Sequence, residues 1–153
     1  MIKASRTRPD TEPGGPMNWT IELILMPVSD VDRAKAFYVD KAGFNEDVDF
    51  SAGDFRIVQL TPPGSACSIT LMKNEDAAGT LQGIHLVVPD IESARATLLE
   101  RGMEDSELYH FARGGPQRAG PAPDRGDYET YMSFADPDGN GWVVQEVPSR
   151  AVS

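Results

Sequence analysis

The sequence predicts an α+β protein in which one β-α-β-β(-β) module is used twice, giving two sheets. Three observations carry this prediction. Residues 29–43 (SDVDRAKAFYVDKAG) match residues 89–103 (PDIESARATLLERGM) in register at an offset of 60, pairing Asp30 with Asp90, Val31 with Ile91, Ala34 with Ala94 and Lys41 with Arg101. Each copy follows a short apolar run that alternates like a strand, 21–28 (IELILMPV) and 83–90 (GIHLVVPD). Each half then closes on apolar runs separated by turn residues. A long period seen only twice means a duplicated module and not a solenoid.

The elements follow in order. Asp30 is a good N-cap for a first helix that puts Val31, Ala34, Phe37 and Tyr38 on one stripe and ends near Gly43. A strand is expected over Glu46–Phe50, then a turn at 51–54. A hairpin follows, Phe55–Thr61 and Cys67–Lys73, across Pro62-Pro63-Gly64-Ser65. The second helix starts at Asp90, turns Ile91, Ala94 and Leu98 inward and stops near Gly102. The closing hairpin is Tyr131–Ala135 and Trp142–Val147, around Asp136-Pro137-Asp138-Gly139-Asn140. Asp136 and Asp138 read as turn formers that bond their own backbone, and Trp142 reads as core.

The expected organisation is a disordered tail over 1–16, a first module over 17–75, a second over 76–148 and a short tail over 149–153. The second module carries an inserted loop over 107–130. Its glycines and prolines, Gly114, Gly115, Pro116, Gly120, Pro121, Pro123 and Gly126, argue against regular structure. Tyr109, His110, Phe111, Arg113, Arg118, Arg125 and Tyr128 suit either a lid over a ligand or an arm against a partner subunit.

Length and composition narrow the function. With 153 residues, 40% of them hydrophobic, one compact domain with a real core is expected. The formal net charge of -10 argues against a nucleic-acid partner and serves solubility, or a cationic ligand. No apolar stretch approaches the ~20 residues of a membrane span, and the N-terminus lacks the apolar core of a secretory signal. The single cysteine, Cys67, fits a reducing cytoplasm and reads as a buried structural thiol.

The repeat, the strand–Val-x-Asp–helix–Phe-Tyr opening and the closing DPDGN-x-W together resemble the vicinal-oxygen-chelate superfamily over residues 18–148. That group includes glyoxalase I, extradiol dioxygenases and bleomycin-resistance proteins. The resemblance implies two tandem βαβββ modules whose curled sheets form a cavity, usually in a homodimer. It also implies a divalent metal held from the first and fourth strands of each module. Those positions fall here on Leu23, at or beside Thr70, on Gly83 and on or next to Val143, which supply no set of donors. Only His85 keeps the right parity, and one histidine does not make a metal site. No metal and no other cofactor is therefore expected.

Alternation from the same positions turns Leu23, Leu25, Thr70, Met72, His85, Val87, Val143 and Gln145 toward the cavity, an apolar wall with a few polar points. Gln59, Tyr131, Tyr109 and Tyr128 complete the candidate ligand-binding set, and His85 is the candidate acid or base. Three readings stay open. The first is a metal-free protein of the bleomycin-resistance type that binds a small aromatic or cationic molecule. The second is a metal-dependent lyase, isomerase or dioxygenase using rearranged ligands such as His85 and Glu146. The third is a metal-free enzyme in which His85 transfers a proton.

Overall fold

The computed structural model describes residues 16–104 and 106–151. Residues 1–15 of the expected tail lie outside the described residues, as do 152 and 153. Strands β1 (Leu23–Val28), β2 (Asn45–Ala52), β3 (Phe55–Thr61) and β4 (Ser68–Lys73) form one sheet in the order β1-β4-β3-β2. Strands β5 (Ile84–Val88), β6 (Tyr109–Phe111), β7 (Gln117–Ala119), β8 (Tyr131–Ala135) and β9 (Gly141–Glu146) form the other, in the order β5-β9-β8-β6-β7. Both sheets share one wiring: the first strand lies parallel to the last, β1 on β4 and β5 on β9. The duplication read from two helices is thus a duplication of sheet topology.

Helix α1 (Val31–Ala36) is capped by the Asp30 carboxylate, which accepts the Arg33 N–H. It widens into a π-helical turn, Phe37–Lys41, where a continuous α-helix was expected. Gly43 follows at φ +80°, the left-handed conformation that suits glycine. Helix α2 (Ile91–Glu100) is capped by Asp90 in the same way. The predicted stripe holds: Ala34, Tyr38 and Ile91 are fully buried.

The inserted segment departs from expectation. It holds the β6–β7 hairpin, and β6 joins the sheet where Tyr109 pairs with Tyr131. β6 takes the place in the second sheet that β2 takes in the first, so paired backbone outweighs a glycine- and proline-rich composition. Beyond the hairpin, Arg125 ties the segment down. Its guanidinium reaches Glu146 on β9 at 2.9 Å and Glu92 on α2 at 2.7 Å. Two further corrections are small. Cys67 precedes β4 and is only partly buried. Where the second module was expected to give way to a tail, Pro148–Arg150 forms a 3-10 turn, and the Ser149 N–H donates to Asp127 at 2.9 Å.

The modules meet on their helix-covered sides. Met26, Val28, Tyr38, Val58, Leu60 and Leu71 of the first module pack with Trp142 of β9. Trp142 donates from Nε1 to the Tyr38 hydroxyl at 2.8 Å, and that hydroxyl donates to Asp136 at 2.8 Å. Asp136 also forms its turn as expected, accepting the N–H groups of Asp138 and Asn140. Asp138 does something else: its carboxylate reaches across to accept from Ser29 and Arg33. The Asn140 amide donates to the Pro27 carbonyl at 2.9 Å. The closing turn of one module is therefore a clamp on the other.

Candidate functional site

Because the helices cover one side of each sheet, strand alternation leaves the other side open. Strand register places Leu25, Thr70 and Gln59 side by side on the open face of the first sheet. Leu23 and Met72 share that face by parity, as do Val48 and Phe50 through their pairing with Gln59 and Ile57. Register places His85 beside Val143, Val87 beside Gln145, and Tyr131 beside both Gln145 and Tyr109 on the open face of the second sheet. The predicted residues thus form two groups, on two sheets. Both faces are bare in the single chain: Leu25 is 57% exposed, Phe50 is 51% exposed and His85 is exposed.

The second sheet carries the denser group. The Tyr109 and Tyr131 rings stack with centroids 5.5 Å apart, and Phe111 meets Tyr131 edge-on at 5.6 Å. The Tyr109 hydroxyl shares a hydrogen bond with Ser133 at 2.8 Å. The Tyr131 hydroxyl donates to the Tyr128 carbonyl at 2.9 Å. Gln145 Nε2 donates to the Tyr131 hydroxyl at 3.2 Å and to the Tyr128 carbonyl at 3.5 Å. Tyr128 itself sits at φ +66°, with its hydroxyl held by Arg150 at 3.1 Å. His85 Nδ1 lies 2.8 Å from the Gly83 carbonyl. Next to Tyr131 the inserted segment opens a cleft of 660 Å³ lined by Phe111, Arg113, Arg118, Pro123 and Tyr128.

The first sheet carries a polar strip across its greasy face. Thr61 donates to the Asp47 carboxylate, Ser68 lies 2.6 Å from Thr61, and Gln59 Nε2 donates to Ser68 at 3.2 Å. Thr70, only 4% exposed, has a buried hydroxyl without a partner.

Ser133 and Ser68 were missed in sequence, although each lies two residues from a predicted position and shares its face. Asp47 was illegible. A register shift between Glu46 and Val48 breaks the alternation that would have placed it.

A divalent metal does not fit this donor set. Leu23, Gly83 and Val143 offer no side-chain donor, Thr70 is a lone hydroxyl, and His85 is a single imidazole. Glu146, the rearranged ligand considered from sequence, points to the helix side. It is 3% exposed and engaged by Arg125 and the Ile91 N–H. Among the described residues no three His, Cys, Asp or Glu side chains gather as metal ligands.

Residues 20–144 match the family model of the Glyoxalase/Bleomycin resistance protein/Dioxygenase superfamily. None of the curated proteins gives a significant match. Among solved structures, TnmS3, an antibiotic binding protein from Streptomyces sp. CB03234, is 28% identical, with a TM-score of 0.65 over 85% of this chain and 97% of that one. A glyoxalase/bleomycin resistance protein from the same Streptomyces is 29% identical, with a TM-score of 0.62 over 83% and 100%. A superfamily member from Sphaerobacter thermophilus DSM 20745 is 27% identical, with a TM-score of 0.60 over 86% and 99%.

Proposed function

Because the chain belongs to the glyoxalase/bleomycin resistance protein/dioxygenase superfamily, we propose that it binds a planar aromatic small molecule without a metal. The ligand lies between the open face of the second sheet and the open first sheet of a second copy of the chain. One observation carries this reading. Gly83 and Val143 stand where a metalloenzyme of this fold places its donors, and beside them this face presents the Tyr109–Tyr131–Phe111 ring cluster held by Gln145 and Ser133. Stacked rings give a ligand a large, rigid contact at low entropic cost.

The homodimer is supported by the first sheet. Leu25, Val48, Phe50 and Phe55 leave an apolar face uncovered, the kind of surface that marks an interaction site. The exposed Met17, Trp19 and Ile21 extend the same alternation ahead of β1. TnmS3, described as an antibiotic binding protein, lends support for the ligand class. A cytoplasmic setting belongs to this reading and is supported by the one free thiol, Cys67. No helix among the described residues is long and apolar enough to cross a membrane.

The test is calorimetric titration of a panel of aromatic antibiotics and polycyclic phenols into chelator-treated protein. A hit of unchanged affinity with and without chelator is expected. Affinity that vanishes with chelator and returns with Mn²⁺ or Zn²⁺ would overturn the metal-free reading. A second reading, proton transfer by His85, is favoured by one contact. The Gly83 carbonyl accepts from Nδ1, and the Nε2 of that tautomer is able to accept a proton. His85→Gln separates the two, since turnover by the wild type that is lost in the variant favours proton transfer, and a pure binder has no turnover to lose.

A further inference from the structure

We infer that the site selects aromatic ligands carrying hydroxyl hydrogen-bond donors, because three side chains on its two faces, Gln59, Gln145 and His85, are turned so that each offers an acceptor. This rests on the binding reading above and names the ligand chemistry of the same site. Each is oriented by hydrogen bonds that end on a group able only to accept. On the second sheet, the Tyr128 carbonyl takes the Tyr131 proton. The Tyr131 oxygen must then accept from Gln145, as must the Tyr128 carbonyl, so the amide nitrogen faces inward on both counts. Gln145 Oε1 is left outward. His85 adds another: the Gly83 carbonyl can only accept, so Nδ1 carries a proton, and the Nε2 of that tautomer is an acceptor.

The first sheet repeats the device by a longer route. The Asp47 carboxylate takes the Thr61 proton, so Thr61 accepts from Ser68, and Ser68 in turn accepts from Gln59. The chain has one direction, set by its charged end. It turns Gln59 Nε2 into the sheet and leaves Oε1 as an acceptor.

Gln59 Oε1, Gln145 Oε1 and His85 Nε2 have no partner among the described residues. His85 and Gln145 stand two positions apart along the paired β5 and β9 strands, on the same face. Neither is a carboxylate, so the pair suits a phenolic O–H better than an ammonium group. A ligand that replaced its O–H groups by methoxy groups would lose these bonds and leave unpaired the acceptors it covers.

The experiment compares 2,3-dihydroxynaphthalene with 2,3-dimethoxynaphthalene by calorimetry on the full chain, and on the Gln145→Met, Gln59→Met and His85→Phe variants. The diol is expected to bind at least ~10-fold tighter to the wild type. Each variant that retains a cooperative melting transition narrows that ratio, losing more affinity for the diol than for the dimethoxy compound. Three variants guard against one that fails to fold. Equal affinity for both compounds in the wild type overturns the inference and leaves the binding reading standing. A ratio kept in every folded variant overturns it as well. Binding of neither compound counts against the aromatic site and the inference together.

Discussion

Thr70 occupies the middle of β4 with its hydroxyl buried and unbonded. A stranded hydroxyl of this kind costs ~1–3 kcal/mol of stability. Thr70→Val keeps the shape and removes the group, so urea denaturation should show a gain of about 1 kcal/mol or more. A loss would mean that the hydroxyl is bonded in solution. Tyr38 makes the opposite case. Burial, then the neighbouring Asp136 carboxylate, pushes its hydroxyl well above the usual tyrosine range, so it remains a neutral donor. Tyr38→Phe leaves the buried Asp136 without that donor and Trp142 Nε1 without its acceptor. The expected loss is ~2 kcal/mol, read from the same denaturation curves. Both residues sit where alternation or helical spacing put them. What their hydroxyls touch depends on chain far away in sequence.

Elements are joined by two charged clusters of different weight. On the helix side of the first sheet, Asp49 of β2 accepts from Arg56 of β3 and Lys35 of α1. The Arg56 and Lys35 hydrogen bonds hold its carboxyl well below the usual carboxylate range. A carboxyl depressed in the fold stabilises above the unfolded value of ~3.9 and loses that contribution as pH falls below it. Asp49→Asn should therefore lower the melting temperature at pH 7, with the gap to wild type closing in acid below pH ~4. A gap of constant size would show that charge has no part in it. The Arg125–Glu146 pair is the deeper one. Glu146 is 3% exposed while the Arg125 side chain is 35% exposed, so solvent screens part of the interaction. Arg125→Met should cost ~2–3 kcal/mol, less than the ~3–5 kcal/mol of a fully buried pair. It should also loosen residues 120–128 in hydrogen exchange. The inserted segment is thus a braced part of the second sheet, and its glycines and prolines serve the turns around a short hairpin.

The whole molecule is two sheets whose covered sides meet and whose open sides do not. Light scattering should report a dimer at micromolar concentration, and Leu25→Asp, on a 57% exposed position, should give a folded monomer. A wild-type monomer at that concentration would remove the second copy from the proposed site. Ligand affinity should fall together with dimerisation in Leu25→Asp if both sheets contribute to one cavity. The division of the predicted site residues between two sheets follows from the same arrangement. Leu23, Leu25, Gln59, Thr70 and Met72 lie on the first sheet, and His85, Tyr109, Tyr131 and Gln145 on the second.

Sequence alone determines the repeat, both aspartate caps, the left-handed glycine after the first helical segment and the side of each strand that meets the helices. These are local properties, written in spacing, turn chemistry and the period of two, and so is the loss of metal donors at Leu23, Gly83 and Val143. Only the tertiary structure decided that Asp138 clamps the other module, that β6 pairs with β8 and that a bulge turns Asp47 toward Thr61. It also decided which end of Gln59 and Gln145 faces outward. A side chain's hydrogen-bond direction is set by the partners that folding brings to it, and those partners stand many residues away along the chain.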